Sequence, residues 1–193
     1  MFTGHSHSKN RFLPPPMIAI ALAITACPNS RAQQPPPAHE TPAPMLRITG
    51  AIAKPQEWSP QQIREQFAKD LQKVSYTSRG QKTESHAVPL YNLLKAAGVE
   101  VDLKMNPSTE PARKNHPLRY AVVVVGRDGY TAAFSLAEVL PEVGARHVFI
   151  ALDANDKPFA EGEEHMRLIS PDDKNPSRWV RDVATVQVVD VSK

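Results

Sequence analysis

The chain has 193 residues, enough for one ordinary domain, and a formal net charge of +3. The excess positive charge comes from Lys9, Arg11 and Arg31, which leaves 20 of the 23 basic residues against all 20 acidic residues in 33–193. This part of the chain has no basic field of the kind that recruits nucleic acid. We therefore expect no nucleic-acid partner.

Residues 1–32 have the layout of an export signal. The apolar run MIAIALAITA at 17–26 has ten residues, whereas a membrane-spanning helix needs about 20. Two cleavage sites compete. The small-x-small sequence SRA at 30–32 would release a soluble protein, whereas ITAC resembles a bacterial lipobox, in which Cys27 would carry lipid and anchor the chain to a membrane. We expect an exported protein, periplasmic or secreted, or alternatively a membrane-anchored lipoprotein.

Cys27 is the only cysteine of the chain, so no internal disulfide can form. The segment that follows the signal, QQPPPAHETPAP at 33–44, is rich in proline and nearly free of large apolar side chains. Such a composition is typical of an extended, solvated tether. The folded domain is therefore predicted to occupy residues 45–193.

The domain begins with a predicted strand and a predicted helix. Apolar and polar residues alternate over 45–55, which predicts a half-buried strand that ends at a proline. Over 58–71, apolar residues recur every four positions, Ser59 suits the N-cap and Pro60 suits the first helical position. This pattern predicts an amphipathic helix.

A second strand and helix follow. The sequence KVSYTSRGQKTES at 73–85 reads as a strand with Val74 and Tyr76 on one face and a turn at Gly80. Residues 88–99 predict a short helix that Gly98 closes. Its inward-facing residues are Leu90, Leu93, Leu94 and Ala97.

A proline-rich stretch at 104–118 predicts a surface loop before the run YAVVVVGRDGYTAAFS at 120–135. The two glycines of this run raise the question of a phosphate-binding loop, which would require a helix to begin at the second glycine. No helical pattern begins there. Asp128 and Gly129 between two apolar runs instead predict a β-hairpin.

The remaining chain is predicted to contain one or two helical turns capped by Ser135 and then three strands, at 147–152, 165–170 and 178–191. The last strand is expected to have a helical or bulged start. Strands and short helices alternate without the regular spacing of parallel β-α-β units. We therefore predict an α+β fold with a mixed, mainly antiparallel sheet and short helices.

The domain shows no recognisable catalytic or metal-binding motif. Four of its histidines are scattered singly along the sequence: His86, His116, His147 and His165. Their spacing is not that of metal ligands, so we expect no metal site and interpret each as a solvated or locally bonded imidazole. No serine lies in the glycine pattern of a nucleophile elbow. No catalytic residue is assigned.

One basic group is the candidate ligand site. Its members come from a predicted strand, the loop after it and the start of the last strand: Arg167, Lys174, Arg178 and Arg181. If the loop folds back, several of them would converge on an anion, because guanidinium groups bind oxyanions in a two-pronged manner. The alternative is that each pairs with a nearby aspartate, namely Asp172, Asp173 or Asp182.

The order of these landmarks resembles the molybdopterin-binding domain of the sulfite oxidase type, and more closely its short, stand-alone exported relatives. The blocks that carry the resemblance are LRITGAIAKPQEWS, AVPLYNLLKAAGV, YAVVVVGRDGYTAAFSLAEVLP, VFIALDANDKPF and MRLISPDDKNPSRWVRDV. Together they span Leu46 to Val189. The resemblance implies a mixed α+β fold with a twisted sheet, in agreement with the element pattern.

The resemblance also implies a cofactor, because catalytic members bind molybdopterin and hold molybdenum through a cysteine thiolate. The matching segment here, SYTSRGQKTESHAVPLYNLL, contains Ser75, Thr77 and Ser78 but no cysteine. A hydroxyl is a poor substitute for a soft thiolate. Arg178 and Arg181 match positions where the family places Lys or Arg near the pterin phosphate.

We therefore expect an exported molybdopterin-binding-like domain without the usual molybdenum-ligating cysteine, which binds a pterin, another anionic ligand or an exported partner protein. Two alternatives remain. The first is a molybdopterin-dependent oxidoreductase that uses other ligands and passes electrons to a periplasmic partner. The second is a cofactor-free interaction module.

Overall fold

The computed structural model describes residues 44–78, 80–99, 116–159 and 165–192. The predicted signal lies outside the described residues, as do the predicted tether before Pro44 and most of the loop predicted at 104–118. In chain order the described strands are β1 (Leu46–Gly50), β2 (Gln56–Trp58), β3 (Gln72–Ser78), β4 (Gln81–Pro89), β5 (Tyr120–Gly126), β6 (Thr131–Ser135), β7 (Phe149–Ala151), β8 (Arg167–Ile169) and β9 (Val183–Asp190). The α-helices are α1 (Pro60–Gln66), α2 (Leu90–Ala96) and α3 (Leu136–Val139). None of the described helices is long and apolar enough to cross a membrane.

The strands form two sheets. The larger sheet has the order β2-β1-β9-β5-β6, and the smaller has the order β3-β4-β7-β8. Every described strand pair is antiparallel except β1 with β9, which is parallel. The expectation of an α+β fold with mainly antiparallel strands is confirmed for the described part of the chain. Two separate sheets replace the single sheet that was expected.

The hairpin of β5 and β6 confirms the interpretation of its two glycines. Val124 lies opposite Ala132, and Gly129 in the connection adopts a φ of +83°, which a glycine accepts without strain. The carboxylate of Asp128 accepts a hydrogen bond of 2.9 Å from the backbone N–H of Tyr130 and closes the turn. A helix does not follow the second glycine, so the loop lacks the helix start of a phosphate-binding loop.

Both longer helices begin and end at local signals. Ser59 caps α1, and its hydroxyl and the Gln62 side chain form reciprocal hydrogen bonds with the helix backbone. The helix stops at Gln66, earlier than predicted, because the chain turns at Phe67 to enter β3. In α2 the predicted inward leucines are buried, and Gly98 beyond the helix has a φ of +80°.

The predicted strands near the C-terminus are shorter in the structure. Residues Pro176–Arg178 form a short 3-10 helix capped by Asn175, and Asp182 has a φ of +41° just before β9 begins. The expected irregular start of the last strand is therefore confirmed. An isolated bridge between Leu168 and Val180 brings this segment to the edge of β8.

Both faces of the smaller sheet carry buried side chains, although its edge strand β3 is largely exposed. One face contributes Val88, Ile150 and Leu168 to the main core, which also takes apolar residues from the larger sheet. The other face carries a second cluster that contains Tyr76 and Phe149. Because β7 contacts apolar side chains on both sides, its three residues are all buried.

Candidate functional site

A cleft of about 600 Å³ lies where the start of α1, the middle of β4 and the segment after β7 meet. Its polar lining residues include Arg64, His86, Asp153, Asp156, Lys157 and His165. Its apolar lining residues include Leu152, Phe159 and three prolines, Pro44, Pro60 and Pro158. A cleft of this size, apolar on part of its wall and with a few convergent polar groups, is typical of a small-molecule site.

Asp153 is the structural centre of the cleft wall. It follows the buried strand β7 by two residues, and its side chain is only 5% exposed. One carboxylate oxygen accepts the backbone N–H of His86 at 2.8 Å, and the other accepts Arg64 at 2.9 Å and His86 Nδ1 at 2.8 Å. Burial alone would raise the pKa of Asp153, but these hydrogen bonds outweigh it and hold the pKa below its ordinary value. Asp153 is therefore an ionised acceptor at neutral pH.

His86 is held in one tautomer by this carboxylate. Because Asp153 can only accept, the proton between them belongs to Nδ1 of His86. The ring is about one-third exposed and lines the cleft, and its Nε2 makes no hydrogen bond to any residue of the described ranges. In the neutral imidazole this second nitrogen is an acceptor.

Arg64 is fixed by two bonds from a single nitrogen. Its Nη2 donates to the backbone carbonyl of Leu152 and to Asp153, both at 2.9 Å. The helix α1 places this side chain on the cleft wall. Its Nε and Nη1 make no hydrogen bond within the described part of the chain. The guanidinium therefore keeps several N–H donors for a ligand.

A tight turn carries the carboxylate at the mouth of the cleft. Asn155 and Asp156 both have φ values near +60°, which these residue types tolerate and which suits a two-residue hairpin turn. The Asn155 side chain accepts the backbone N–H of Glu84 at 3.0 Å and ties the turn to β4. Asp156 pairs with Lys73 at 3.1 Å and lies 3.6 Å from His86 Nδ1.

The opposite end of the cleft carries a second histidine–aspartate pair. His165 contacts Asp182 through both its backbone N–H, at 3.3 Å, and its Nδ1, at 3.1 Å. Nearby, the Arg167 guanidinium lies 5.2 Å from the ring centre of Phe159, which also lines the cleft. Arg167 therefore borders this end of the cleft.

The basic group predicted from the sequence is divided among different partners. Arg178 bonds Asp173 at 2.6 and 3.1 Å and Glu138 at 3.3 Å, and it lies over the ring of Phe134. The hydrogen bond to Asp173 is the main cause that raises the pKa of Arg178. Arg178 therefore follows the alternative expectation, in which an arginine of this group pairs with a nearby aspartate.

Arg181 has a different environment from Arg178. Val180, the residue before Arg181, bridges Leu168, the residue after Arg167, and the Arg181 side chain is exposed. Lys174 lies exposed in the loop between Arg167 and Arg181. The structure therefore brings the chain near Arg181 to the edge of β8 and directs Arg178 to other partners.

Sequence reasoning did not single out Arg64, His86 or Asp153 as a group. Each is an isolated residue in its own element, and His86 was interpreted as a locally bonded imidazole, which its contact with Asp153 agrees with. One feature of the sequence could have indicated the importance of Asp153. Asp153 is the first polar residue after the apolar run VFIAL, a position that brings a carboxylate to the end of a buried strand.

No family model matches the chain, and no curated protein matches it. A solved structure does: the crystal structure of the sulfane dehydrogenase SoxCD from Paracoccus pantotrophus has a TM-score of 0.52 and 18% sequence identity to this chain. The likeness is one of fold. It covers 76% of this chain, which spans 38% of the length of that chain. It supports a distant, molybdopterin-oxidoreductase-like fold for the described domain.

The segment that the sequence resemblance matches to a metal-ligating segment does not fit a thiolate-held molybdenum. Ser75 donates to Glu84 at 3.1 Å, and both Ser75 and Thr77 are exposed on β3. Neutral hydroxyls are poor ligands where a soft anionic sulfur is required. The described residues also include no group of three or more His, Cys, Asp or Glu that could hold a metal ion. We derive no chemical step through this cofactor.

Proposed function

We propose that this chain is a binding domain for a small anionic molecule and that the ligand occupies the cleft beside Arg64 and His86. One observation carries the proposal: a single buried carboxylate, Asp153, fixes both side chains in the cleft wall. Both are attached to the same carboxylate oxygen, so they are close neighbours.

The energetic reason is preorganisation. The charge of Asp153 is already balanced by its own partners, so it does not compete with an incoming anion for the remaining donors of Arg64. A guanidinium that is held in place loses less conformational entropy when it binds an oxyanion than a free surface arginine does. The wall therefore offers an oxyanion a ready set of N–H donors.

The apolar part of the cleft suits the organic portion of such a ligand. Leu152 and the edge of Phe159 would contact a flat ring, and the cleft volume of about 600 Å³ exceeds what an inorganic anion fills. A pterin belongs to this class of ligand, and the likeness of fold supports it. Arg167, whose guanidinium lies over the ring of Phe159, and Arg181 are proposed to contact a second anionic group of the ligand.

We also propose that the protein acts outside the cytoplasm. The export signal at 1–32 and the proline-rich segment at 33–44 support a domain that works in the periplasm, as a soluble protein or tethered through a lipidated Cys27. An intact mass of the protein from its host separates these forms, because lipidation adds the mass of a diacylglycerol to Cys27. The bound ligand or a partner protein would then be exported as well.

Replacing Arg64 by methionine is expected to weaken anion binding by about 10- to 100-fold, because it removes charge-assisted hydrogen bonds worth about 1.5–3 kcal/mol. Isothermal titration calorimetry with inorganic phosphate and with a phosphorylated pterin measures this change. The matched control is Arg47→Met, which removes an exposed arginine that pairs with Glu57 and does not line the cleft.

The variant Arg181→Ala separates the two candidate anchors. If Arg64→Met leaves the affinity unchanged while Arg181→Ala abolishes it, the ligand lies at the basic group and not in the cleft. If the wild type binds neither phosphate nor the pterin at millimolar concentration, the proposed function is wrong.

A further inference from the structure

We propose that the anionic group held in the cleft carries a proton of its own, and that His86 Nε2 accepts this proton in a hydrogen bond. The cleft would therefore select a hydrogen-phosphate-like oxyanion over a fully deprotonated one such as sulfate. This inference rests on the proposed function and names the chemical class of its ligand and the residue that determines specificity.

The position of the ring proton on His86 follows from its contact with Asp153. Its Nδ1 lies 2.8 Å from an oxygen of Asp153, and that oxygen also accepts from Arg64. A carboxylate that already receives other N–H groups cannot supply a proton to the ring. Nδ1 is therefore the protonated nitrogen, and Nε2 of the neutral ring presents a lone pair to the cleft.

The cleft wall combines hydrogen-bond donors on Arg64 with a hydrogen-bond acceptor on His86. Arg64 offers N–H groups to the charged oxygens of an anion, whereas His86 requires an O–H or N–H on the ligand. Hydrogen phosphate has such an O–H. Sulfate is a dianion of similar shape without one, so its oxygen lone pairs would face the lone pair of Nε2. A site that accepts a hydrogen bond disfavours an analogue that lacks the donor, because the acceptor is then left unpaired.

Charged groups from three parts of the fold surround the His86 ring. Asp153 and Asp156 face the ring from the segment after β7, Arg64 faces it from α1, and Lys73 lies opposite it on β3. The other charged or titratable groups nearby are Glu84, which approaches Lys73, and Lys157 and His165, which line the cleft. The lining cations Arg64 and Lys157 are balanced by two carboxylates.

The test is a calorimetric titration of the purified protein with potassium phosphate and potassium sulfate at matched ionic strength. At about pH 8.5, where phosphate keeps one proton and sulfate keeps none, phosphate should bind at least about tenfold more tightly than sulfate.

Two variants complete the design. In His86→Gln the side-chain amide can rotate to donate or accept, so the preference for phosphate over sulfate should be lost. His147→Gln changes a histidine that is paired with Asp172 and does not line this cleft, and it should keep the preference. Both variants retain an uncharged polar side chain, and circular dichroism verifies their fold.

The outcomes separate this inference from the proposed function. Equal affinities for phosphate and sulfate, or a preference that His86→Gln leaves intact, would overturn the role of His86 while anion binding stands. The absence of binding for both anions would overturn both proposals. A preference for phosphate that is lost in His86→Gln and kept in His147→Gln supports the inference.

Discussion

Replacement of Asp153 by asparagine is expected to lower the free energy of unfolding by about 3 kcal/mol at neutral pH. The carboxylate receives three hydrogen bonds, from the His86 backbone, the His86 ring and Arg64, and it is nearly inaccessible to water. A neutral amide can accept from one side only and directs its own N–H groups toward these donors. Urea denaturation followed by circular dichroism measures the loss.

The control is Asp156→Asn, which changes a neighbouring aspartate whose side chain is 61% exposed and pairs with Lys73. That exposed pair is worth about 1 kcal/mol or less, so this variant should remain close to the wild type. If both asparagine variants are equally stable, Asp153 does not organise the cleft wall.

The pH dependence of the same variant provides a second measurement. The pKa of Asp153 is lower in the folded chain than its ordinary value of 3.8. Its contribution to stability is therefore present above that value and is lost as the pH falls through the folded-state pKa. The stability difference between wild type and Asp153→Asn should narrow in acid. A difference that does not narrow as the pH is lowered into the acid range would contradict the assignment of an ionised Asp153.

Replacement of Gly50 by alanine is expected to destabilise the larger sheet by more than about 3 kcal/mol or to prevent folding. Gly50 ends β1 with a φ of +96°, and a Cβ built there would lie 2.1 Å from the backbone carbonyl oxygen of Val188. Val188 is its partner in the parallel pairing of β1 with β9, so neither backbone can move without breaking the ladder. Denaturation of the purified variant measures the loss, and soluble yield reports a failure to fold.

Gly129→Ala is the matched control, because Gly129 has a similar φ of +83° but no atom within 4 Å of the position that a Cβ would occupy. It should cost only the backbone strain of a left-handed alanine, about 1–2 kcal/mol. Equal losses in the two variants would show that strain, and not the close approach to Val188, makes Gly50 necessary.

The elements that the sequence predicted well have local causes. Ser59 with Pro60 marks the start of α1, Gly98 marks the end of α2, and Asp128-Gly129 marks the β5–β6 hairpin. Each signal lies within a few residues of the structure that it determines. The C-terminal end of α1 was placed too late because apolar periodicity continues to Leu71, although the backbone has already turned at Phe67.

The cleft could not be predicted in the same way. His86 and Asp153 are 67 residues apart, and Arg64 and Asp153 are 89 apart. Their contacts depend on the pairing of β4 with β7 and on the packing of α1, and neither is encoded by local periodicity. The predicted basic group shows that closeness in sequence does not give residues the same partners. Its residues are close in sequence, but Arg178 turns to Asp173 and Glu138 while Arg181 remains exposed.

The fold of the domain and its lack of a cysteine both bear on where a ligand binds. The fold is distantly like that of a molybdopterin oxidoreductase. The segment that the sequence resemblance matches to the metal-ligating one has no cysteine and carries exposed hydroxyls on β3, whereas the polar cleft takes His86 from the next strand, β4. We therefore place the ligand there and assign its recognition to Arg64 and His86.

The most direct test of this assignment is a two-dimensional NMR titration of the isotope-labelled protein with potassium phosphate. Saturable shifts are expected to be concentrated on the backbone amides of Arg64, His86 and Asp153 and on the His86 ring. These shifts should be lost in Arg64→Met. Shifts confined to residues 165–182, or no saturable shift at any residue, would contradict the claim that this cleft binds an anion.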